Sequence, residues 1–364
     1  MPASFNSFNS DQQCEKGLCR NPSARCLEKS SKRLHIGLIN NMPDGALEAT
    51  ERQFLSLLDA ASEGMSVRLS LFALPNVPRN EFGAQHISRH YASVESLWET
   101  QLDGLIVTGR EPQTPKLENE PYWPSFTRVL DWARTNTYST IWSCLAAHAA
   151  TLYMDGISRV RNDNKHSGVF ECSRMLDHPL IAGAPRRFRL PHSRWNGLPD
   201  DQLMRCGYRV LTQAAHVGVD TFIKHCRSMF VFFQGHPEYE ANTLLLEYRR
   251  DIGRFLRSES DVYPLVPQGY FNNEMADALA GLQQEAMRSR NHDLLPQVTA
   301  ILEATNLENT WHSTAVGIYR NWFQYICTQK NLRLQSSRRM EMRNMADLVQ
   351  VPAVASSFSK IAIL

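Results

Sequence analysis

Residues 137–154 read TYSTIWSCLAAHAATLYM, and the change of pattern halfway through this stretch decides the fold. TYSTIWSC (137–144) is short, aromatic and β-branched, as a buried strand requires. LAAHAATLYM (145–154) has the small and unbranched residues of a helix that begins directly afterwards. The chain must therefore turn from strand to helix at Cys144. An elbow of this kind needs small neighbours, here Ser143, Ala146 and Ala147, because the backbone is tight and the central side chain is thrown outward. The helix start also turns its free N–H groups and positive dipole end toward the thiol, which favours a thiolate and offers an oxyanion site. A buried structural cysteine is the plainer reading of the same residues. Ser143, the rival nucleophile, points to the other face of the strand.

Further apolar runs surround this unit. LHIGLINN from Leu34, VRLSLFAL (67–74) and LDGLIVTG (102–109) read as strands. Helices follow at Ala46–Leu58 and at WPSFTRVLDWART (123–135), and the turn Met42-Pro43-Asp44-Gly45 precedes the first of them. SMFVFFQGHPEYE (228–240) reads as a fifth, strongly apolar strand before the helix TLLLEYRRDIGRFL (243–256). Strands alternating with helices imply an α/β fold with a mostly parallel sheet covered on both faces, and no internal repeat is evident. Ligands in such sheets sit beyond the carboxyl ends of the strands. Three strand ends are then the places to search: Thr108-Gly109, Ser143-Cys144 and Gly235-His236-Pro237-Glu238.

The third of these can complete the first chemistry. On extended backbone His236 and Glu238, at i and i+2, point the same way, so the carboxylate can orient the imidazole. A cysteine, a histidine and a carboxylate are the usual set for covalent catalysis by a thiol. A loop histidine beside a solvated glutamate is the alternative, but the coincidence of elbow and His-Pro-Glu at two strand ends favours catalysis.

Composition bounds the rest. The chain has 364 residues with a formal charge of +2, which gives no reason to expect nucleic acid as a partner. No run is long and apolar enough for a membrane helix, and the N-terminus lacks a secretory apolar region. A cytoplasmic protein with reduced thiols is expected. Charge is uneven: residues 1–33 carry +3, residues 329–364 carry +4, and the body sums to −5. The expected organisation is a mobile basic N-terminal extension (1–33), one catalytic domain (34–328) and a basic C-terminal tail (329–364). Cys14-x4-Cys19, with Cys26 nearby, could be half a zinc site, but no paired cluster follows and no metal is expected.

With these residues on the page, the sequence resembles the homoserine O-succinyltransferase family, the homoserine O-acyltransferases of methionine biosynthesis, within the class I glutamine amidotransferase-like superfamily. The matching stretches are IGLINNMP (36–43), ERQFLSLL (51–58), DGLIVTG (103–109), YW (122–123), STIWSC with AAHAA (139–150), SGVF (167–170), LPHSRW (190–195), FFQGHPEYEANTLLLEYRRD (232–251) and RNWFQYI (320–326). The resemblance implies a three-layer sandwich and a homodimer acting on small molecules. Cys144 would attack the thioester of an acyl-CoA, which is a co-substrate and not a bound cofactor. His236 would relay protons, Glu238 would orient it, and the N–H of Leu145 would be an oxyanion donor. Arg250 matches the family arginine that holds the acceptor carboxylate, with a solvated helix arginine as the alternative. Ser193 and Arg194 would line the site, although Arg194 could be structural instead.

Two stretches depart from the family pattern. The turn Met42-Pro43-Asp44-Gly45-Ala46-Leu47 lacks the family lysine. In the loop after Gly109, Gln113 stands where the family places a glycine with succinyl donors or a glutamate with acetyl donors. Gln113 is neutral and bulky, Glu111 is two residues away, and Arg110 could neutralise a succinyl carboxylate. Succinyl-CoA and homoserine are the expected pair, with acetyl-CoA as donor or serine as acceptor as variants. A glutaminase-like hydrolase is disfavoured by Trp142 and Ala146, where that class carries glycines. A binding or regulatory relative without catalysis is the remaining reading.

Overall fold

The first apolar run forms β1 (Arg33–Ile39), and helix α1 (Leu47–Ala61) returns the chain so that β2 (Ser66–Phe72) lies parallel beside it. After α2 (Glu81–His90), β3 (Gly104–Thr108) joins the other side of β1. Helix α3 (Trp123–Asn136), strand β4 (Ser139–Ser143) and helix α4 (Leu145–Asp155) follow in the expected order. The chain then makes β5 (Val160–Arg174), β6 (Arg187–Gly197), β7 (Arg209–Val210), β8 (Thr212–Ala214), β9 (Gly218–Val219), β10 (Thr221–His225) and β11 (Met229–Phe233). Helices α5 (Thr243–Leu256), α6 (Asn273–Arg288), α7 (Leu294–Glu303) and α8 (His312–Val349) complete it. This computed structural model describes residues 32–349 apart from 292, 304 and 305.

The main sheet has the order β2-β1-β3-β4-β11-β10-β7. It is parallel from β2 to β11 and ends in the antiparallel strands β10 and β7. Alternation along β11 shows how its layers form: Phe230 and Phe232 face the helices α3 and α4, while Met229, Val231 and Phe233 face α1 and α8. Both faces are apolar, so the central strands read as unbroken hydrophobic runs. The result is the three-layer α/β sandwich expected. Helices α6 and α7 pack on α5 through a separate cluster around Ile252, Phe255, Leu279 and Val298.

The expectations need three adjustments. The strand expected over 228–240 stops at Phe233. Gln234 still donates to the carbonyl of Asp220, the next residue in the β10 register, at 2.9 Å, but His236 turns away and donates to the Pro191 carbonyl at 2.8 Å. The start expected for the C-terminal tail, residue 329, falls inside α8, where Lys330 reaches Asp103 at 2.8 Å. The N-terminal extension with Cys14, Cys19 and Cys26 lies outside the described residues, except for Lys32 and Arg33. The sequence reading also assigned no elements to 156–227, where β5, β6, β8 and β9 form a second, antiparallel sheet in the order β6-β5-β8-β9.

Candidate active site

Cys144 joins β4 to α4 with φ +50° and ψ −111°. Such a conformation costs on the order of 1–3 kcal/mol for a residue with a side chain. The surroundings hold it there. The Cys144 N–H donates to the Phe233 carbonyl at 2.7 Å, and Trp142 before it and Ala146 and Ala147 after it are buried. Gly109 packs so closely on this elbow that an added Cβ would lie 2.5 Å from the Leu145 Cβ and 2.6 Å from the Ala146 nitrogen. Leu145 opens α4, so its N–H precedes the helical ladder.

His236 stands beyond the end of the neighbouring strand. Its Nδ1 pairs with Glu238 Oε1 at 2.8 Å, and both side chains are buried. The contact is made across a tight turn, closed by the Tyr239 N–H on the His236 carbonyl at 3.2 Å, and not along the extended backbone expected. Proline at the second position of the turn explains the bend. Tyr239 stacks on the imidazole with ring centroids 4.2 Å apart and an angle of 18°. Burial alone would depress the His236 pKa, yet the facing Cys144 and Glu238 raise it well above the ordinary value by charge and hydrogen bonding. With Glu238 on Nδ1, Nε2 is left to serve the thiol.

Asp220 and Pro191 fix the turn from below. Asp220 Oδ1 accepts from the Gly235 N–H at 3.2 Å, and Oδ2 takes the hydroxyls of Thr212 and Thr221 at 2.8 and 2.7 Å. A Cβ on Gly235 would lie 2.7 Å from Asp220 Oδ1. Cys172, His192 and Asp220 form a fully buried trio with ligand atoms within 4.8 Å of one another. Arg194 Nε donates to His192 Nδ1 at 3.3 Å, and His192 Nε2 lies 3.4 Å from Asp220 Oδ1. The arginine charge beside the trio also disfavours a cation there.

Arg194 is occupied by the fold itself. It is 4% exposed, and its Nη groups donate to the carbonyls of Asn196 and Val217, each at 2.6 Å. Of its two readings this geometry favours the structural one. Ser193, next to it, points the other way and donates to Glu247 Oε2, while Tyr239 donates to Glu247 Oε1 at 2.7 Å. Arg250 is half-exposed on α5, with Nε 2.9 Å from Asp251 Oδ1. Lys165 holds the other oxygen of Asp251 at 2.8 Å. Burial opposes the Asp251 charge, but Lys165 and Arg250 carry its pKa below the usual carboxylate range.

The loop after β3 is tied down by Glu120, which the sequence reading passed over. Its buried Oε1 accepts the N–H groups of Gln113 and Thr114, both at 2.7 Å. The Gln113 side chain is exposed. Glu111 pairs with Arg254 at 3.3 Å, and Arg110 donates to the Pro78 carbonyl at 3.3 Å. The turn that lacks the family lysine receives a cation from elsewhere: Arg79 donates to the Met42 carbonyl and pairs with Asp44 at 3.2 Å. Sequence spacing gives no sign of Arg79, which is more than thirty residues away. Tyr239 was readable, since it lies three residues after His236 in the same motif.

Fold and site together define an α/β protein with a cysteine at a strained strand–helix elbow and a buried histidine–carboxylate pair facing it. Its sequence matches the homoserine O-succinyltransferase family over residues 15–333. The chain is 46% identical over 304 residues to a homoserine O-succinyltransferase of Rhodopseudomonas palustris, covering 84% of this chain and 90% of that protein. It is 43% identical over 299 residues to one of Methylorubrum extorquens, covering 82% and 89%. A glutamine amidotransferase of Methylobacillus flagellatus superimposes with a TM-score of 0.44 at 13% identity, covering 81% of this chain and 95% of that one. The chain belongs to the homoserine O-succinyltransferase family, an enzyme family, as the resemblance implied.

Proposed function

We propose that the protein transfers a succinyl group from succinyl-CoA to the hydroxyl of L-homoserine, a step of methionine biosynthesis, through a thioester on Cys144. The observation that carries this reading is the strained elbow cysteine facing the buried His236–Glu238 pair, in a chain of this family. Cys144 Sγ attacks the thioester carbonyl, with the Leu145 N–H placed to stabilise the oxyanion. The bond to the CoA sulfur breaks and His236 hands its proton to the departing thiolate. His236 then takes the proton of the homoserine hydroxyl, whose oxygen attacks the acyl-enzyme. The bond to Sγ breaks, which restores the thiolate–imidazolium pair. Glu238 keeps the imidazole in the tautomer that presents Nε2 to the thiol.

Arg250 is the residue for the acceptor carboxylate, which a guanidinium binds through two parallel hydrogen bonds. Ser193 borders the same face of α5. Gln113 stands at the donor side, and its lack of negative charge suits a succinyl carboxylate better than a glutamate would. The enzyme works in the cytoplasm as a homodimer, without a bound cofactor.

Mass spectrometry after mixing with succinyl-CoA tests the reading. A succinyl adduct on Cys144, discharged by homoserine, is the expected result. No adduct from succinyl-CoA, or an adduct that homoserine leaves in place, overturns it.

A further inference from the structure

The amino ends of the central strands border a cavity of about 980 Å³, at the opposite end of the sheet from Cys144. Strand β4, five residues long, separates Tyr138 in its wall from the nucleophile, a span on the order of 17 Å. Strand register sets the basic groups here. Arg33 and His35 share one face of β1, and Arg68 of β2 pairs with His35. Lys330 and Arg333 reach the same cavity from α8. Four cations therefore line it against two carboxylates, Asp103 and Glu99, a surplus of two positive charges.

The pairing inside the cavity is unequal. Asp103 Oδ2 accepts from Lys330 Nζ and from the His35 N–H, both at 2.8 Å, and Lys330 also donates to the Arg33 carbonyl at 2.7 Å. Arg33, Arg68 and Arg333 have no carboxylate within ion-pairing distance among the described residues. Arg333 meets only the neutral phenol of Tyr138. His35 pairs its Nε2 with Ser70 Oγ at 2.8 Å, and burial, followed by the Arg68 charge, lowers its pKa. Three guanidiniums from three separate elements thus border one cavity without an anion. Their mutual repulsion is relieved by a multiply charged anion between them. A single carboxylate fills one guanidinium fork, whereas two linked phosphates carry the charge and the oxygens to engage all three. The volume lies at the upper end of the roughly 300–1,000 Å³ typical of small-molecule sites, so a diphosphate fits with or without an attached group. We infer that this cavity binds a diphosphate through Arg33, Arg68 and Arg333, as a ligand site remote from the thiol. Inorganic pyrophosphate and a nucleoside diphosphate are the two sources of that chemistry. This site does not depend on the acyl-transfer reading.

Isothermal titration calorimetry on the full chain at low salt tests it, with pyrophosphate and ADP as probes. At least one is expected to bind, and the tighter of the two identifies the source. Arg68→Ala and Arg333→Ala should each weaken that binding by about 10-fold or more, the worth of one charged hydrogen bond. Both arginines are exposed, so the variants should keep the wild-type melting temperature and the burst of acyl-enzyme from succinyl-CoA. Glu99→Gln, which removes the unpaired carboxylate of the wall, should tighten binding. Failure of both probes to bind, undiminished affinity in both arginine variants, or citrate binding as tightly as pyrophosphate would overturn the inference. A wild-type chain that binds a probe but shows no burst would sink the acyl-transfer reading and leave this site standing.

Discussion

The elbow at Cys144 and the strand β6 contribute to the same site in opposite ways. At the elbow the geometry is local: strand, cysteine and helix are consecutive, and the strain at φ +50° is held by neighbours in the sequence and by the adjoining strand. Along β6 nothing is local. Pro191 holds the His236–Glu238 turn, His192 and Arg194 are buried in a polar network, and Ser193 turns toward α5. One region sets the backbone of Cys144, while the other decides where the His236–Glu238 turn stands. Chemistry can thus be read from a motif, whereas placement depends on a sheet built from distant segments.

Substitutions in the two regions should separate these roles. The largest effect is expected at the elbow: Cys144→Ser should lower turnover by at least ~10³-fold with the melting temperature little changed, since the two side chains are nearly isosteric. A variant with wild-type-like steady-state rates would remove Cys144 from the mechanism. On β6 the loss should appear in stability. Arg194→Leu leaves Asp220 and the carbonyls of Asn196 and Val217 without their cation and should cost about 3–5 kcal/mol in urea unfolding. A stable Arg194→Leu enzyme with only a raised KM for homoserine would return Arg194 to the substrate-binding set.

Arg250 offers the contrasting arginine. It is half-exposed, so Arg250→Ala should leave the unfolding midpoint nearly unchanged and raise the KM for homoserine about 10- to 100-fold. An effect confined to the KM for succinyl-CoA would contradict the acceptor assignment.

The smallest effect is a pH slope. Burial, then the Arg194 charge, pushes the pKa of His148 down to about 3, and burial with the Arg194 and His236 charges lowers that of His192. Both are neutral in the fold, whereas the unfolded chain binds their protons near pH 6.5. Their contribution is present above about pH 6.5 and is lost as pH falls toward 3. The limiting slope is about 1.4 kcal/mol per pH unit for each proton. His236 has the opposite sign: its raised pKa contributes stability below about pH 6.5 that is lost as pH rises through the folded-state value. Urea midpoints across pH should therefore pass through a maximum, and His148→Asn should flatten the acid side. An unchanged acid slope in that variant would show that His148 is not the group responsible.

Most of the central sheet was legible because each buried strand is a continuous apolar run ending in a glycine or a turn. The second sheet was not. Strands of two or three residues such as Arg209–Val210 and Gly218–Val219 are too short to show a period, and β5 carries Arg161, Asn162, Asp163, Asn164 and Lys165 in a row. Helix α8 passed for a tail beyond residue 328 because its later turns lack an apolar stripe, while Trp322, Phe323 and Ile326 anchor its first half in the core.

The sequence by itself determined the cysteine at a strand–helix junction, the histidine and glutamate two residues apart, and the family to which they belong. These are matters of neighbouring residues, where backbone sterics and residue type act directly. Tertiary structure decided that His236 meets Glu238 across a turn, that Arg194 is buried while Arg250 is not, and that Glu247 is aimed by hydroxyls from two other segments. Each of those outcomes depends on which distant groups satisfy a buried charge or N–H, and spacing along the chain carries no record of that.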